Sequence, residues 1–423
     1  MELGLNAIWV MLGAILVILM QGGFIMLEAG STRMKNAGHV AGKTIFTFGI
    51  ASLVFWAVGY GLIFGGDGNS IIGWGDFFFD TRAVSEGDTL PPTILFLFQL
   101  AFAGVSLSIA WGGFAERGKL SVYLIFAVLF SALVYPVIAH WIWGGGWLAD
   151  HGKQDFAGST VVHLTGAMAA LAGTILLKPR IGKYNKDGSA NDIQGHNQVY
   201  TTLGVIILWV GWFGFNAAST LSVGDGFFGF VAVNTQLAAA AGAIVALLVA
   251  WAARGKADVP TMLNGALAGL VAITASCAFV ETWAAVLIGA IAGVLVYGSM
   301  VFFEKRKIDD PIYALSVHGT AGVWGTISTG FFASDSLVEE VGVGKAGLFY
   351  GGGFEQLGVQ VLGVVVCGVF AFVVSYIILA IMKAVMGLRV SEEQEIIGLD
   401  LSEHGAYGYP EQMKKASADS IQA

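Results

Sequence analysis

Charged side chains and cysteines are both scarce in this sequence of 423 residues. Only 12% of the residues are charged and 56% are apolar, which is far from the composition of soluble proteins. The two cysteines, Cys277 and Cys367, lie in separate apolar segments and predict neither a metal cluster nor a disulfide framework. The net charge is −8, and no basic face is interleaved with aromatic residues to hold phosphate groups. These shortages exclude a nucleic-acid-binding protein and a small disulfide-stapled domain.

Apolar runs of about 20 residues fill almost the whole chain, and each can cross roughly 30 Å of hydrocarbon. A water-soluble protein of this length would need a polar shell that the composition does not supply. We therefore predict an all-α integral membrane protein with eleven transmembrane helices. The predicted helices begin near Leu5, Thr44, Thr93, Ser121, Phe156, Val199, Phe228, Val259, Thr282, Ile312 and Leu357.

Lysine and arginine fall on one side of the predicted membrane. The loops after odd-numbered helices, together with the tail after the eleventh, contain all 21 basic residues except Arg82, Lys153 and Lys345. Because basic loops stay in the cytoplasm, we expect the amino terminus outside and the carboxyl terminus inside the cell membrane. The first run lacks a basic leader and a cleavage site, so no cleaved signal peptide is expected. The chain divides into a transmembrane domain, 1–383, and a cytoplasmic tail, 384–423.

Two histidines, His163 and His318, lie inside apolar stretches, where an ionisable side chain is costly and usually marks a substrate or proton path. Each follows the start of its predicted helix by about seven residues, which places each roughly 10 Å deep from opposite faces. Helices five positions apart that run in opposite directions indicate two five-helix halves related by an inverted repeat, plus one extra helix. The alternative is two unrelated core histidines, each bound to a backbone carbonyl.

Several segments carry a more specific pattern. They read, in order, GSTRMKN, FQLAFAGVSLSIAWGGFAERGKLS, AHWIWGGGWLADHGKQDFAGSTVVH, GWFGFNAAS, DDPIYALSVHG and GLRVSEEQEIIGLDLSEHGAYGYP. With these segments the chain resembles the ammonium transporter (Amt/Mep/Rh) family, and the Amt branch more than the Rhesus branch. The resemblance implies a homotrimer in which each subunit conducts ammonium, or methylammonium, through its own pore.

The resemblance assigns four residues to the outer mouth of that pore. Trp143 and Ser219 match the outer ammonium-recruitment site, where an aromatic ring face attracts a cation and a hydroxyl accepts its hydrogen bond. Phe102 and Phe215 match two stacked rings that form a gate, and Phe102 also borders the recruitment site. Without the resemblance, Trp143 would be read as an interfacial residue and the two phenylalanines as ordinary core.

Asp155 opens the fifth predicted helix, where a carboxylate can accept the free backbone N–H groups. The resemblance implies that it organises the outer vestibule. His163 and His318 match the paired pore histidines of the family, whose neutral rings both donate and accept hydrogen bonds. Two nitrogens are too few for a structural zinc site, so no metal or cofactor is expected.

The cytoplasmic mouth departs from the family pattern. Glu28 stands where many members have a tyrosine, and Tyr313 stands where many have an aspartate before the second histidine; Asp310 lies close by. We expect Glu28 to be an interfacial side chain beside Arg33. The acidic tail is expected to be regulatory: to fold under the pore exit, to contact the next subunit, and to meet a P-II type signalling protein.

Three other functions compete with transport. An ammonium sensor of this family often carries a signalling domain, whereas this chain ends about forty residues after its last predicted helix. A Rhesus-type gas channel is disfavoured because Trp143 and Ser219 predict capture of the cation. A membrane enzyme is disfavoured because the sequence contains neither a nucleophile-base pair nor a metal cluster.

Overall fold

The computed structural model describes residues 2–82 and 90–412. Within these ranges the chain is helical, and β-structure is limited to isolated bridges. Nine helices of the described part are long and apolar enough to cross a membrane. They are α1 (Glu2–Ser31), α2 (Met34–Phe64), α3 (Pro92–Trp111), α4 (Leu120–Asp150, interrupted at 144–146), α5 (Ser159–Leu177), α6 (Gln198–Thr220), α7 (Gly224–Arg254), α9 (Thr282–Lys305) and α11 (Glu355–Met386).

Two further helices, α8 (Val259–Thr274) and α10 (315–332), occupy the remaining predicted positions but fall outside that set of nine. The all-helical membrane fold is thus confirmed, while the number of crossings and their orientation stay predictions. A short helix, Asp335–Val341, precedes α11. Two more follow it, α12 (Glu392–Ile397) and α13 (Leu399–His404).

The helices that carry the two histidines begin later than hydropathy predicts. Helix α5 begins at Ser159 and α10 at Leu315, each three residues after the predicted start. Both helices open with a π-helical turn, Ser159–Leu164 and Leu315–Thr320, and each turn contains the histidine. Such turns are rare and tend to occur at functional sites.

Helices α1 and α6 pack along one another, and they are the first helices of the two predicted halves. Their backbones approach closely because glycines line the contact. A Cβ at Gly13 or Gly30 would overlap α6, and one at Gly204 or Gly211 would overlap α1. Small residues at helix contacts are the usual means of close packing in a membrane, where no hydrophobic force draws helices together.

The bundle has two distinguishable ends. Helix α4 begins against the tail, since the N–H of Leu120 donates to Glu403 at 2.9 Å, and Trp143 lies near its far end. We call the end covered by residues 387–409 the tail face and the opposite end the Trp143 face.

Lys43 differs from the expectation that it lies in a cytoplasmic loop. It is fully buried inside α2, and its Nζ lies 2.6 Å from Oε2 of Glu28, which is fully buried in α1. A buried ammonium is tolerated only with such a partner. Lys43 therefore carries no information about membrane orientation, although the other basic loop residues still do. Lys414 and Lys415 lie outside the described residues.

Candidate functional site

The two histidines meet at the centre of the bundle. Their Nδ1 atoms are 3.1 Å apart, and the ring planes are within 10° of parallel. His163 is fully buried and His318 is 6% exposed. At this distance one Nδ1 carries the hydrogen and the other accepts it, so the pair shares one proton. The Nε2 of His163 has no hydrogen-bond partner among the described residues.

Each histidine is preceded by a buried aspartate at the same spacing, Asp155 before His163 and Asp310 before His318. Oδ2 of Asp155 accepts the N–H groups of Thr160 and Val161, both at 3.0 Å. These are first-turn groups that an α-helix leaves without partners. The carboxylate thus fixes the π-turn that carries the histidine.

Asp310 does the same in the other half, because its Oδ2 accepts the N–H of Leu315 at 2.7 Å. In both aspartates Oδ1 lacks a partner within the described ranges. The equal spacing of aspartate and histidine in the two halves is visible in the sequence. Sequence reasoning nevertheless placed Asp310 only at the cytoplasmic mouth and missed this shared role.

Phe102 and Phe215 lie face to face between the histidines and the Trp143 face. Their ring centroids are 4.1 Å apart with an interplanar angle of 32°. Phe215 also lies over His163, with centroids 5.4 Å apart. Both rings are almost completely buried, Phe102 at 1% exposure and Phe215 at none. They therefore close the passage above the histidines in this structure.

Trp143 and Ser219 lie beyond these rings. The Trp143 ring stands nearly perpendicular to Phe102, with centroids 5.9 Å apart, and its indole N–H donates to the Asp155 carbonyl at 2.9 Å. The Ser219 hydroxyl donates to the Phe215 carbonyl at 2.7 Å. This leaves the lone pairs of the hydroxyl oxygen free to accept a hydrogen bond from a cation. Trp143 thus lies against the Phe102 ring of the predicted gate, and Ser219 lies one helical turn after Phe215.

Trp212 was not assigned by sequence reasoning, yet it forms one wall beside His163. Its ring is stacked on the imidazole, with centroids 5.2 Å apart and planes 11° from parallel. The indole N–H donates to the Thr274 hydroxyl at 2.9 Å, which fixes the ring. The available signal was its place in GWFGFN, three residues before Phe215 and hence on the same helix face.

A passage continues from the histidines towards the tail face. It begins as a narrow, mainly apolar cavity bordered by His318, Phe24 and Leu208. Leu27 and Ile312 border both this cavity and a wider one of about 470 Å³. The wider cavity is polar, and its lining includes Tyr313, Asn264, Asp258, Arg254 and Glu304.

Glu28 is not the interfacial side chain that we expected. It lines neither cavity, has no solvent exposure and holds Lys43 instead. The Nζ of Lys43 also lies 5.9 Å from the ring centre of Trp111 and 5.6 Å from that of Tyr123. The cation is therefore stabilised by a carboxylate and two aromatic faces in a site otherwise closed to water.

Asp309 and Asp310 are adjacent carboxylates with opposite electrostatics. Asp309 is buried, but its two hydrogen bonds with the Arg180 side chain, both 2.9 Å, lower its pKa to about 2. Burial raises the pKa of Asp310 to about 6, although backbone N–H groups at the start of α10 oppose the shift. Asp309 is therefore a permanent anion, whereas Asp310 changes charge near neutral pH.

The site combines two contacting histidines with a pair of aromatic rings that close the way to them, inside a bundle of membrane-length helices. Such an arrangement is typical of a transport protein for a small solute. A profile described as the Ammonium Transporter Family matches residues 8–409. The chain belongs to this family.

Curated relatives agree over nearly full length. Ammonium transporter Amt2 of Archaeoglobus fulgidus is 44% identical over 422 residues, covering 97% of this chain and 89% of the relative. The ammonium transporter of Bacillus subtilis is 39% identical, covering 98% of this chain and 100% of the relative. The predicted family and function, an ammonium transporter and not an enzyme, are confirmed.

Solved structures show the same fold. A protein described as Sensor Amt Protein superposes with a TM-score of 0.90 at 39% identity and covers 95% of this chain and 99% of its own. Mep2 from Candida albicans superposes with a TM-score of 0.85 at 30% identity, covering 96% of this chain and 90% of the Mep2 chain. Each superposition therefore includes nearly all of this chain.

Proposed function

We propose that ammonium is captured between Trp143, Ser219 and Phe102, loses its proton at the Phe102–Phe215 gate, and crosses as ammonia past His163 and His318. The contact between the two histidines is the observation that carries this proposal. A bare ammonium at the membrane centre costs several kcal/mol even on permissive insertion scales. Leaving the proton behind, or relaying it separately, avoids that cost.

The shared proton determines what each histidine offers to the passage. The ring whose Nδ1 donates has Nε2 as an acceptor, and the ring whose Nδ1 accepts has Nε2–H as a donor. Ammonia can then donate to one ring and accept from the other without any net charge in the passage. If a proton reaches the free Nε2 of the donating ring, the shared proton can cross between the two Nδ1 atoms while the Nε2–H proton of the accepting ring leaves. Both rings then stay neutral, their roles are exchanged, and one proton has been relayed.

The remaining assignments follow from the same picture. The Trp143 face is outside the cell and the tail face is cytoplasmic. The chain lies in the cell membrane with its amino terminus outside. Asp155 organises the outer vestibule, and Asp310 with Tyr313 forms the cytoplasmic exit. Three copies assemble as a homotrimer, and a P-II type signalling protein is the partner at the tail face. The domains are 1–383 for transport and 384–423 for regulation.

A sensor is the second candidate, because one superposed structure is described as a Sensor Amt Protein. Its high coverage means that the membrane part alone does not distinguish a sensor from a transporter. A Rhesus-type gas channel is less well supported, since the perpendicular Trp143 ring and the free lone pairs of Ser219 suit a cation. Net ammonium uptake by the purified protein separates transport from sensing.

The test replaces both histidines with leucine, His163→Leu and His318→Leu together, in reconstituted vesicles. If the paired rings relay the proton, an ammonium step should produce no current above background, because no acceptor remains in the passage. A single His318→Glu variant should keep a current but admit potassium, since a fixed negative charge stabilises a bare cation.

The matched control is His151→Leu, which removes an exposed histidine near the Trp143 face whose ring nitrogen bonds to the Trp147 carbonyl. It should conduct as the wild type does. Trimer assembly is verified for every variant. Wild-type current and selectivity in the double leucine variant would remove the relay and leave the two histidines as lining.

A further inference from the structure

Lys153 is a buried cation for which the fold gives no evident structural need. It lies in the loop between α4 and α5 with 2% of its surface exposed. Its stem runs along α11 at Gly363, where a Cβ would overlap the Lys153 side chain. Burying an ammonium costs several kcal/mol, so an unneeded lysine here would be replaced at little loss by an apolar residue.

The hydrogen bonding of Lys153 does not offset that cost. Its Nζ donates to the Gln154 carbonyl at 3.0 Å, but the same carbonyl already accepts the side-chain amide of Gln360 at 2.7 Å. Gln360 also binds the backbone N–H of Gln154, which donates to the Gln360 side-chain oxygen at 3.0 Å. Lys345, by contrast, forms a direct ion pair with Glu355 at 2.6 Å.

The charge of Lys153 lies close to the proposed capture site. Its Nζ binds the carbonyl of Gln154, and the indole N–H of Trp143 binds the carbonyl of Asp155, the next residue. Since consecutive Cα atoms are about 3.8 Å apart, the charged amino group of Lys153 lies within roughly 10 Å of the Trp143 ring. Asp155, two residues after Lys153, has a carboxylate that is 4% exposed and whose Oδ1 lacks a partner among the described residues.

We propose that Lys153 sets the ammonium affinity of the transporter by offsetting the negative charge of Asp155 at the capture site. Asp155 is needed to hold the first turn of α5, and its uncompensated charge would also hold a cation tightly in the vestibule. A buried positive charge two residues from Asp155 weakens that attraction, so that ammonium is released to the gate. Lys153 is thus a positioning residue that acts through Asp155 and does not touch the solute. This inference rests on the proposed capture site.

The test measures the concentration dependence of ammonium uptake in vesicles for Lys153→Gln and Lys153→Met. Removing a unit charge about 10 Å away, at the effective dielectric constant of partly buried sites, changes cation affinity about tenfold. Both variants should therefore lower the apparent KM for ammonium by about three- to tenfold without raising the maximal rate. Glutamine keeps an N–H donor for the Gln154 carbonyl and methionine does not, so equal effects identify the charge as the cause.

Two comparisons make the result specific. Lys345→Met removes an exposed cation from the same end of the bundle and should leave KM within twofold of the wild type. Adding Asp155→Asn to Lys153→Met removes both charges and should return KM towards the wild-type value. A structural role for Lys153 would instead lower the maximal rate, most strongly in the methionine variant.

The inference is overturned if both Lys153 variants assemble and their KM is unchanged or raised, or if only the methionine variant differs from the wild type. Trp143→Leu is measured in parallel. If that variant leaves KM unchanged, the capture site itself is wrong. If it raises KM while the Lys153 variants do nothing, the capture site stands and the role of Lys153 is refuted.

Discussion

Phe215 packs on three aromatic side chains and also closes the passage, and a single substitution can separate these two contributions. Phe215→Ala should keep the fold, because Phe102, Trp212 and the surrounding helices remain in place. It should open the gate and allow potassium to leak, since the remaining ring cannot exclude a hydrated ion. Potassium flux into vesicles is the measurement, and the expected change is from background to a clear leak.

Phe126→Ala is the matched control for that experiment. Phe126 is fully buried among Trp111, Phe114 and Phe130, away from the gate. Its loss should lower stability by about 3–5 kcal/mol, as for other buried phenylalanines, and leave selectivity unchanged. If Phe215→Ala behaves in the same way, with lower stability and no leak, then Phe215 is ordinary core.

At the residue scale, the sequence predicted the side chains that belong to a family motif. It did not predict contacts between segments that are distant in the chain. The meeting of His163 and His318 and the stacking of Phe102 on Phe215 follow the predicted pattern. The buried pair of Glu28 and Lys43 does not, because a charged residue near a helix end is normally read as reaching water. Only the packing of α1 against α2 and the ring of Tyr123 reveal why these charges are inside.

At the scale of the helix, hydropathy located the segments and missed how they begin. Windows of apolar residues place α5 and α10 three residues early, because composition does not show that Asp155 and Asp310 each accept N–H groups a turn later. The π-turns could not be predicted either, because hydropathy does not distinguish a π-helical turn from an α-helical one. The repeated spacing of aspartate and histidine was the one usable signal.

The start of α10 should give the transporter a measurable pH dependence of stability. The Asp310 carboxyl has a pKa near 6 in the folded protein and an ordinary value of 3.8 when unfolded. Between these values the folded state holds more protons, so the free energy of unfolding falls as the pH rises, by about 3 kcal/mol in total. The midpoint of thermal unfolding in detergent should drop between pH 4 and pH 6.

Asp310→Asn should remove most of that drop, because the amide has the same shape and does not titrate. Asp335→Asn changes an exposed carboxylate at the start of a short helix on the other face and should leave the profile as in the wild type. A wild-type drop that persists in Asp310→Asn would assign the pH dependence to another group.

At the scale of the whole molecule, the tail is joined to the membrane helices by directional contacts. Asp400 accepts the N–H groups of Gly38 and His39 at the start of α2, at 3.1 and 2.7 Å. Glu395 accepts the N–H of Ile181 at 2.8 Å and pairs with Arg389. These contacts connect the tail with the start of α2 and with the loop that follows α5.

One of these contacts leads towards the passage. Ile181 follows Arg180, which binds Asp309 through its backbone N–H and its guanidinium. Asp310 is the next residue and holds the first turn of α10, which begins three residues before His318. A displacement of the tail at Glu395 can therefore be transmitted to His318 through covalent neighbours and hydrogen bonds.

Truncation after Lys383 tests whether this connection matters for transport. Removing the tail frees the starts of α2 and α4 and the loop after α5, so ammonium uptake should fall well below the wild-type rate while trimers persist. The matched control is truncation after Gln412, which keeps every tail contact named above and should transport normally. Asp400→Asn should lie between them, because it weakens the cap of α2 and leaves Glu395 in place. Unchanged uptake after truncation at Lys383 would show that the tail is a passive cover. If uptake is lost only in that truncation and in Asp400→Asn, the docked tail holds the passage in its conducting arrangement.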